Sequence, residues 1–144
     1  MRVLETLVSN SSRQLNSRLH GDLLMLPIKG IYEIAVRVQD LANAESFYTQ
    51  VLGLKEGLRD ETRNWLFLYA GGNAGMVVLQ EDKGDWPKQH FAFVVDEVDL
   101  VRAEKLLREK GVEVSAPVVH EWMNGVSLYF DDPDGNALEL IALR

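Results

Sequence analysis

The sequence predicts an α+β fold: two βαβββ modules whose strands form a curved mixed sheet cupping a site, with the helices on its outer face. Three observations carry this. Short strand-like runs separated by Gly-, Pro- and Asp-rich turns recur along most of the chain. Only two convincing helical stretches interrupt them, so the even strand–helix alternation of a doubly wound parallel sheet is missing. The pattern also restarts, because Leu41-Ala-Asn-Ala-Glu45 returns as Leu100-Val-Arg-Ala-Glu104, 59 residues later.

The elements follow in order. Ile31–Val38 alternates as a strand, with Glu33, Ala35 and Arg37 on one face and Tyr32, Ile34, Val36 and Val38 on the other. Asp40 caps a helix of about twelve residues whose apolar positions (Leu41, Ala44, Phe47, Tyr48, Val51) recur at helical spacing, and Gly53 ends it. Strands are expected at Leu54–Arg59, Trp65–Tyr69 and Met76–Gln80, with Gly71-Gly72-Asn73 as the hairpin between the last two. After a polar linker containing Pro87, the second module starts with a strand at His90–Val95. A helix from Asp99 to Lys110 follows, then strands at Val112–Val114, Val126–Phe130 and Ala137–Leu143. The modules span 28–82 and 88–144 of a single domain, 28–144. An extension, 1–27, precedes it; Val3, Leu4, Leu7, Val8, Leu15 and Leu19 suggest a short amphipathic helix or a flexible arm there.

Composition narrows the function. A net charge of −7 with scattered basic residues argues against a nucleic-acid partner. With no cysteine there is no disulfide framework, thiolate site or cysteine nucleophile. No apolar run approaches the ~20 residues that span a bilayer, and the N-terminus does not read as a signal peptide. A cytoplasmic protein without a membrane partner is expected.

The chemistry lies in three polar residues on strand faces. Glu139 sits inside the otherwise apolar last strand, just after the turn Asp132-Pro133-Asp134-Gly135, and a carboxylate there is costly unless it is partnered. Glu33 opens the first strand, and His90 opens the first strand of the second module. Imidazole plus carboxylates suit a divalent cation such as Zn²⁺, Ni²⁺ or Mn²⁺. Each residue also has a plainer reading. Glu139 would pair with a cation such as Arg37, His90 would be a hydrogen-bonded structural residue, and Arg37 would form a salt bridge rather than bind an anionic substrate. Trp65, Trp86, Trp122 and Tyr129 would line an aromatic pocket or pack in the core or a dimer contact. His120 and Glu121 would be a solvated loop near the entrance. The turn itself is structural.

Over about residues 28–143 the chain resembles the vicinal oxygen chelate superfamily, which includes glyoxalase I, fosfomycin-resistance enzymes, extradiol dioxygenases and bleomycin-binding proteins. The resemblance rests on Glu33-Ile-Ala-Val-Arg-Val-Gln-Asp40-Leu, Phe47-Tyr48-Thr-Gln-Val-Leu52-Gly53-Leu54, His90-Phe-Ala-Phe-Val-Val and Tyr129-Phe-Asp-Asp132-Pro-Asp-Gly135-Asn-Ala-Leu-Glu139-Leu. It implies paired βαβββ modules around a divalent metal (Zn, Ni, Mn or Fe). His90 and Glu139 match family ligand positions, and Glu33 stands where members usually carry His or Gln. Either Glu33 or Glu139 would serve as catalytic base, and Arg37, Trp122 and Tyr129 would contact substrate. Val78 occupies the slot of a fourth ligand and cannot coordinate; Gln80 shares its face. Two carboxylates and one imidazole differ from the two-His, one-carboxylate set of non-haem Fe(II) oxygenases, which lowers the weight of extradiol dioxygenase chemistry. The first expectation is a metal-dependent lyase or isomerase of the glyoxalase type acting on a small oxygenated metabolite. The alternatives are a metal-free small-molecule binding protein and a thiol transferase acting on an epoxide antibiotic. The resemblance further implies a homodimer, with sites built from modules of both chains.

Overall fold

The computed structural model describes residues 26–72 and 74–144. The chain divides into two units, Met1–Ile31 and Tyr32–Arg144. In the first, the described residues 26–31 form neither helix nor strand. The amphipathic segment expected at 3–19 lies outside the described residues, as does Asn73.

The second unit is α+β, with two four-stranded mixed sheets, one per module. The first module contains β1 (Glu33–Val38), helix α1 (Leu41–Ser46), β2 (Lys55–Asp60), β3 (Trp65–Ala70) and β4 (Gly75–Glu81), in the sheet order β1-β4-β3-β2. The second contains β5 (His90–Val94), helix α2 (Glu97–Glu109), β6 (Val118–His120), β7 (Gly125–Asp131) and β8 (Ala137–Leu143), in the order β5-β8-β7-β6. In each, the first strand runs parallel to the last and the remaining pairs are antiparallel. The repeat read from the sequence is therefore a repeat of topology.

One apolar core joins the modules. Val36, Val38, Leu66, Leu68, Val77 and Leu79 from the first sheet pack with Leu41, Ala44, Phe47 and Tyr48, and with Phe91, Leu100, Leu107, Leu128, Phe130 and Leu138 of the second module. These are alternate residues on the strands and helically spaced ones on the helices, as burying one face of each element requires.

Several boundaries depart from expectation. Asp40 does cap α1, its carboxylate accepting from the Asn43 N–H at 2.8 Å. The α-helix, however, ends at Ser46, and Phe47–Val51 continues as a π-helix. The Thr49 hydroxyl donates to the Glu45 carbonyl at 2.7 Å, competing for the acceptor an α-turn would use. Helix α2 begins at Glu97 rather than Asp99, because Asp96 is extended and places Glu97 and Asp99 in a first turn that favours acidic residues. No strand forms over Val112–Val114; only Val114 makes an isolated bridge, to Phe130. Beyond it, the Ser115 N–H bonds the Tyr129 carbonyl at 2.9 Å, but the Ser115 hydroxyl takes the Tyr129 N–H at 3.0 Å, so a side chain replaces one half of the next ladder pair. The edge strand is instead Val118–His120, which the expected elements omit. It is three residues long and mostly exposed, too short to show an alternating pattern.

Glu81, at the end of β4, accepts the Leu41 N–H at 2.9 Å and so serves the first turn of α1. That bond, with help from Lys83, holds its carboxyl below the ordinary value of 4.5. A depressed folded-state pKa means the unfolded chain takes up the proton first, so the bond stabilises the fold above about pH 4.5 and is lost as pH falls through the folded value. Glu81→Gln is expected to lower stability at neutral pH and to converge with the parent in acid. Urea midpoints measured across that range check this; a constant gap would assign the effect elsewhere.

Candidate metal centre

The turn between β7 and β8 sets the site's geometry. The Gly135 N–H bonds the Asp132 carbonyl at 3.0 Å, and Gly135 takes φ +80°, a conformation that glycine adopts without steric cost. This starts β8 in register with two neighbours at once. His90 lies beside Ala137 and Ala92 beside Glu139 in the parallel pair, while Tyr129 lies opposite Glu139 in the antiparallel one.

Three side chains therefore meet on one sheet face. Glu139 is buried, with an 8% exposed residue surface. Its Oε1 accepts from the fully buried Ser127 hydroxyl and from the Tyr129 hydroxyl at 3.2 Å. Tyr129 in turn meets His120 Nε2 at 3.0 Å. Burial and the Glu139 charge push the Tyr129 hydroxyl above its ordinary pKa, which keeps it protonated and a donor. One oxygen of Glu139 is thus fixed by two donors, and the other, Oε2, lies 3.2 Å from His90 Nε2.

The imidazole is oriented from behind. His90 Nδ1 lies 3.0 Å from the Ala137 carbonyl, which can only accept, so Nδ1 carries the proton. In the neutral ring Nε2 then presents a lone pair to a carboxylate oxygen. Two lone pairs do not tolerate that approach unless a proton or a cation lies between them. A backbone-anchored Nδ1–H with Nε2 free is the usual arrangement of a metal-ligating histidine. With bonds near 2.0–2.2 Å, two ligands of one cation stand roughly 3.0–3.4 Å apart, and the observed spacing falls in that range. The donor set fits a divalent cation.

The third expected ligand is not brought to this pair. Glu33 is exposed on β1, in the other sheet, and the described residues contain no group of three or more His, Cys, Asp or Glu able to hold a metal within one chain. Its position is nonetheless equivalent. Glu33 and Ala35 lie beside Met76 and Val78 in the first module, as His90 and Ala92 lie beside Ala137 and Glu139 in the second. Val78 is therefore the topological counterpart of Glu139.

Of the remaining candidates, Arg37 pairs with Asp82 at 3.1 Å on the first sheet and does not reach Glu139, which closes the alternative pairing. Trp122 is 83% exposed and meets His120 edge-on, with ring centroids 6.3 Å apart. His120 is half-buried and hydrogen-bonded rather than a solvated loop residue. Ser127 is the functional neighbour that sequence reasoning missed, whereas His120 was placed near the entrance but read as a loop residue. For Ser127 the signal was available, since it alternates with Tyr129 on one strand face. A cavity of about 750 Å³ between the end of α2, β7 and the turn shares Tyr129 and Ala137 with this cluster but is not lined by His90 or Glu139.

Comparison with known proteins agrees with the fold and the motifs. The model of the Glyoxalase/Bleomycin resistance protein/Dioxygenase superfamily matches residues 30–140, and the chain belongs to that superfamily. It is 32% identical to metallothiol transferase FosB of Bacillus licheniformis over 120 residues, covering 78% of this chain and 75% of that one. Among solved structures, an integron cassette protein from the mobile metagenome of the Halifax Harbour sewage outfall is 52% identical. It superposes with a TM-score of 0.78 and covers 81% of this chain and 100% of its own. Lactoylglutathione lyase from Agrobacterium tumefaciens is 26% identical with a TM-score of 0.69, covering 81% and 95%. No helix among the described residues is long and apolar enough to cross a membrane.

Proposed function

We propose that the protein is a divalent-metal-dependent enzyme acting on a small oxygenated substrate. His90 and Glu139 of one protomer and Glu33 of a second would hold the metal in a homodimer. The observation that carries this reading is the His90 Nε2–Glu139 Oε2 approach with Nδ1 already committed to the Ala137 carbonyl. The exposed Glu33 at the equivalent position of the other module supports a site completed between chains. Once bound, a divalent cation supplies Lewis-acid stabilisation of negative charge developing on substrate oxygen. The chain's own contribution is to fix Glu139 through Ser127 and Tyr129 and to set the His90 tautomer. Tyr129, His120 and the exposed Trp122 offer hydrogen-bonding and aromatic contacts beside the site.

Between reaction types, Val78 favours thiol addition to a strained oxygen ring over glyoxalase-type proton shuttling. In such an addition the sulfur–carbon bond forms as the carbon–oxygen bond breaks, and the thiol proton ends on the freed oxygen, so no second-module-like carboxylate is needed at position 78. The relative named a metallothiol transferase supports this order. The lyase or isomerase reading is second, supported by the lactoylglutathione lyase likeness, and would require Glu33 as base. A metal-free binding protein is third.

The test is metal binding by the purified protein with Mn²⁺, Ni²⁺ and Zn²⁺, followed by turnover of epoxides with low-molecular-weight thiols and of methylglyoxal–thiol adducts. Saturable binding of one metal per chain and metal-dependent epoxide opening are expected, with a dimer in sedimentation. Turnover of the adducts alone would select the lyase. Failure to bind any of the three metals, with ligand binding unaffected by chelator, would select the binding protein.

A further inference from the structure

We propose that Asn136, braced by Asp132 and Tyr48, is a positioning residue for the His90 imidazole, and that through Tyr48 the first module's helix is tied to the second module's ligand pair. The inference starts from an asparagine side chain that is fully buried and whose carbonyl oxygen reaches outside its own turn. Asn136 Oδ1 accepts the N–H of Gln89 at 3.0 Å, 47 residues away in sequence and immediately before His90. The neighbouring ladder is completed by the Ala137 N–H donating to the Gln89 carbonyl at 2.8 Å. Gln89 and Ala137 are therefore locked together from both sides, and it is the Ala137 carbonyl that receives the His90 Nδ1 proton. Where Asn136 holds Gln89 decides where the ring of His90 stands.

Asn136 is itself held. Its Nδ2 donates to Asp132 Oδ2 at 2.9 Å, and its main-chain N–H donates to Asp132 Oδ1 at 2.9 Å. An amide that spends its NH₂ on a fixed carboxylate has its carbonyl oxygen aimed, so the flip that would present the wrong atom to Gln89 is opposed. The carboxylate is fixed in turn by the Tyr48 hydroxyl at 2.7 Å, in a buried bond across 84 residues of sequence. Burial and the Asp132 charge raise the Tyr48 pKa, which leaves its hydroxyl a donor. A second contact between the modules, from the Gln39 N–H to Asp134 Oδ1 at 2.8 Å, holds the same turn. A purely local role in the turn would need neither the reach to Gln89 nor the bond from the other module.

The proposal rests on the metal reading only for its consequence on affinity; the ring's orientation is measurable without metal. The experiment is ¹⁵N-resolved NMR of the histidine rings in the metal-free full chain at about pH 8.5, above the ordinary pKa of free imidazole. Titration with Mn²⁺ alone follows. In the parent, His90 Nδ1 is expected to carry a proton bonded to the Ala137 carbonyl, whether Nε2 faces Glu139 through a proton or a cation. In Asn136→Ala the ring is expected to revert to the Nε2–H-dominated mixture of a free imidazole while the amide spectrum stays folded, and Mn²⁺ affinity should fall about tenfold. Tyr48→Phe removes one hydroxyl, keeps the ring, and should move His90 in the same direction by less; it decides the matter if Asn136→Ala does not fold. A His90 tautomer unchanged in the folded variants, or never Nδ1–H in the parent, overturns the proposal. A parent that binds no Mn²⁺ but whose His90 ring responds as described overturns the metal reading and leaves the positioning role standing.

Discussion

Replacing Glu139 by alanine is expected to weaken divalent-metal binding by more than about a hundredfold, because on the proposed reading it deletes a buried ligand of a pair rather than one of its supports. Oε2 lies within salt-bridge distance of His90 Nε2, and Oε1 is held by Ser127 and Tyr129. The same change strips the buried Ser127 hydroxyl of its acceptor, which adds a stability loss of about 1–3 kcal/mol. Glu139→Gln separates the two effects, since the amide keeps an acceptor for Ser127 but loses the charge. Calorimetric titration with Mn²⁺ or Zn²⁺ and urea unfolding, run on both variants, read affinity and stability independently. Metal affinity unchanged in Glu139→Ala would remove this residue from the ligand set.

Asp132→Ala is expected to be the most damaging single change to the fold, at roughly 3–5 kcal/mol. The carboxylate is 5% exposed and accepts from four donors: the Tyr48 hydroxyl, the Asp134 N–H, the Asn136 N–H and the Asn136 amide. Its loss would leave the buried Tyr48 hydroxyl and Asn136 amide without an acceptor while untying the two modules. Tyr48→Phe, which removes one donor and leaves the carboxylate its other partners, is expected to cost about 1–2 kcal/mol. Urea denaturation of both variants gives the comparison. An Asp132→Ala variant within about 0.5 kcal/mol of the parent would show that the turn's hydrogen bonds are replaced by water without penalty.

Much of the architecture was legible because it depends on short-range rules. Alternation marked β1, strand-like runs between turns marked β3, β4, β7 and β8, Asp40 and Gly53 bounded the first helical stretch, and the restart at Leu100 revealed the module repeat. The failures came where local signals compete with tertiary partners. Val112–Val114 has strand propensity but pairs only through the Val114 bridge, and the Ser115 hydroxyl takes the Tyr129 N–H that a continued ladder would use. Val118–His120 has too few residues to show a period and forms only because β7 offers an edge. The π-turn at Phe47–Val51 depends on a competing hydroxyl that periodicity does not register.

The site divides in the same way. The sequence by itself determined the superfamily, the two-module α+β fold, and the identity of the unusual strand residues Glu33, His90 and Glu139, because a carboxylate in an apolar strand is costly enough to stand out. It also identified the Asp132-Pro133-Asp134-Gly135 turn. Only the tertiary structure decided that His90 and Glu139 face each other while Glu33 lies on the other sheet. Only it showed that Arg37 is taken by Asp82, that Ser127 and Tyr129 hold one Glu139 oxygen, and that Tyr48 reaches Asp132 across the modules. The physical reason is range. Backbone preference and apolar period act over a few residues and are written along the chain. A hydrogen bond between residues 84 positions apart exists only once both sheets have packed against one core.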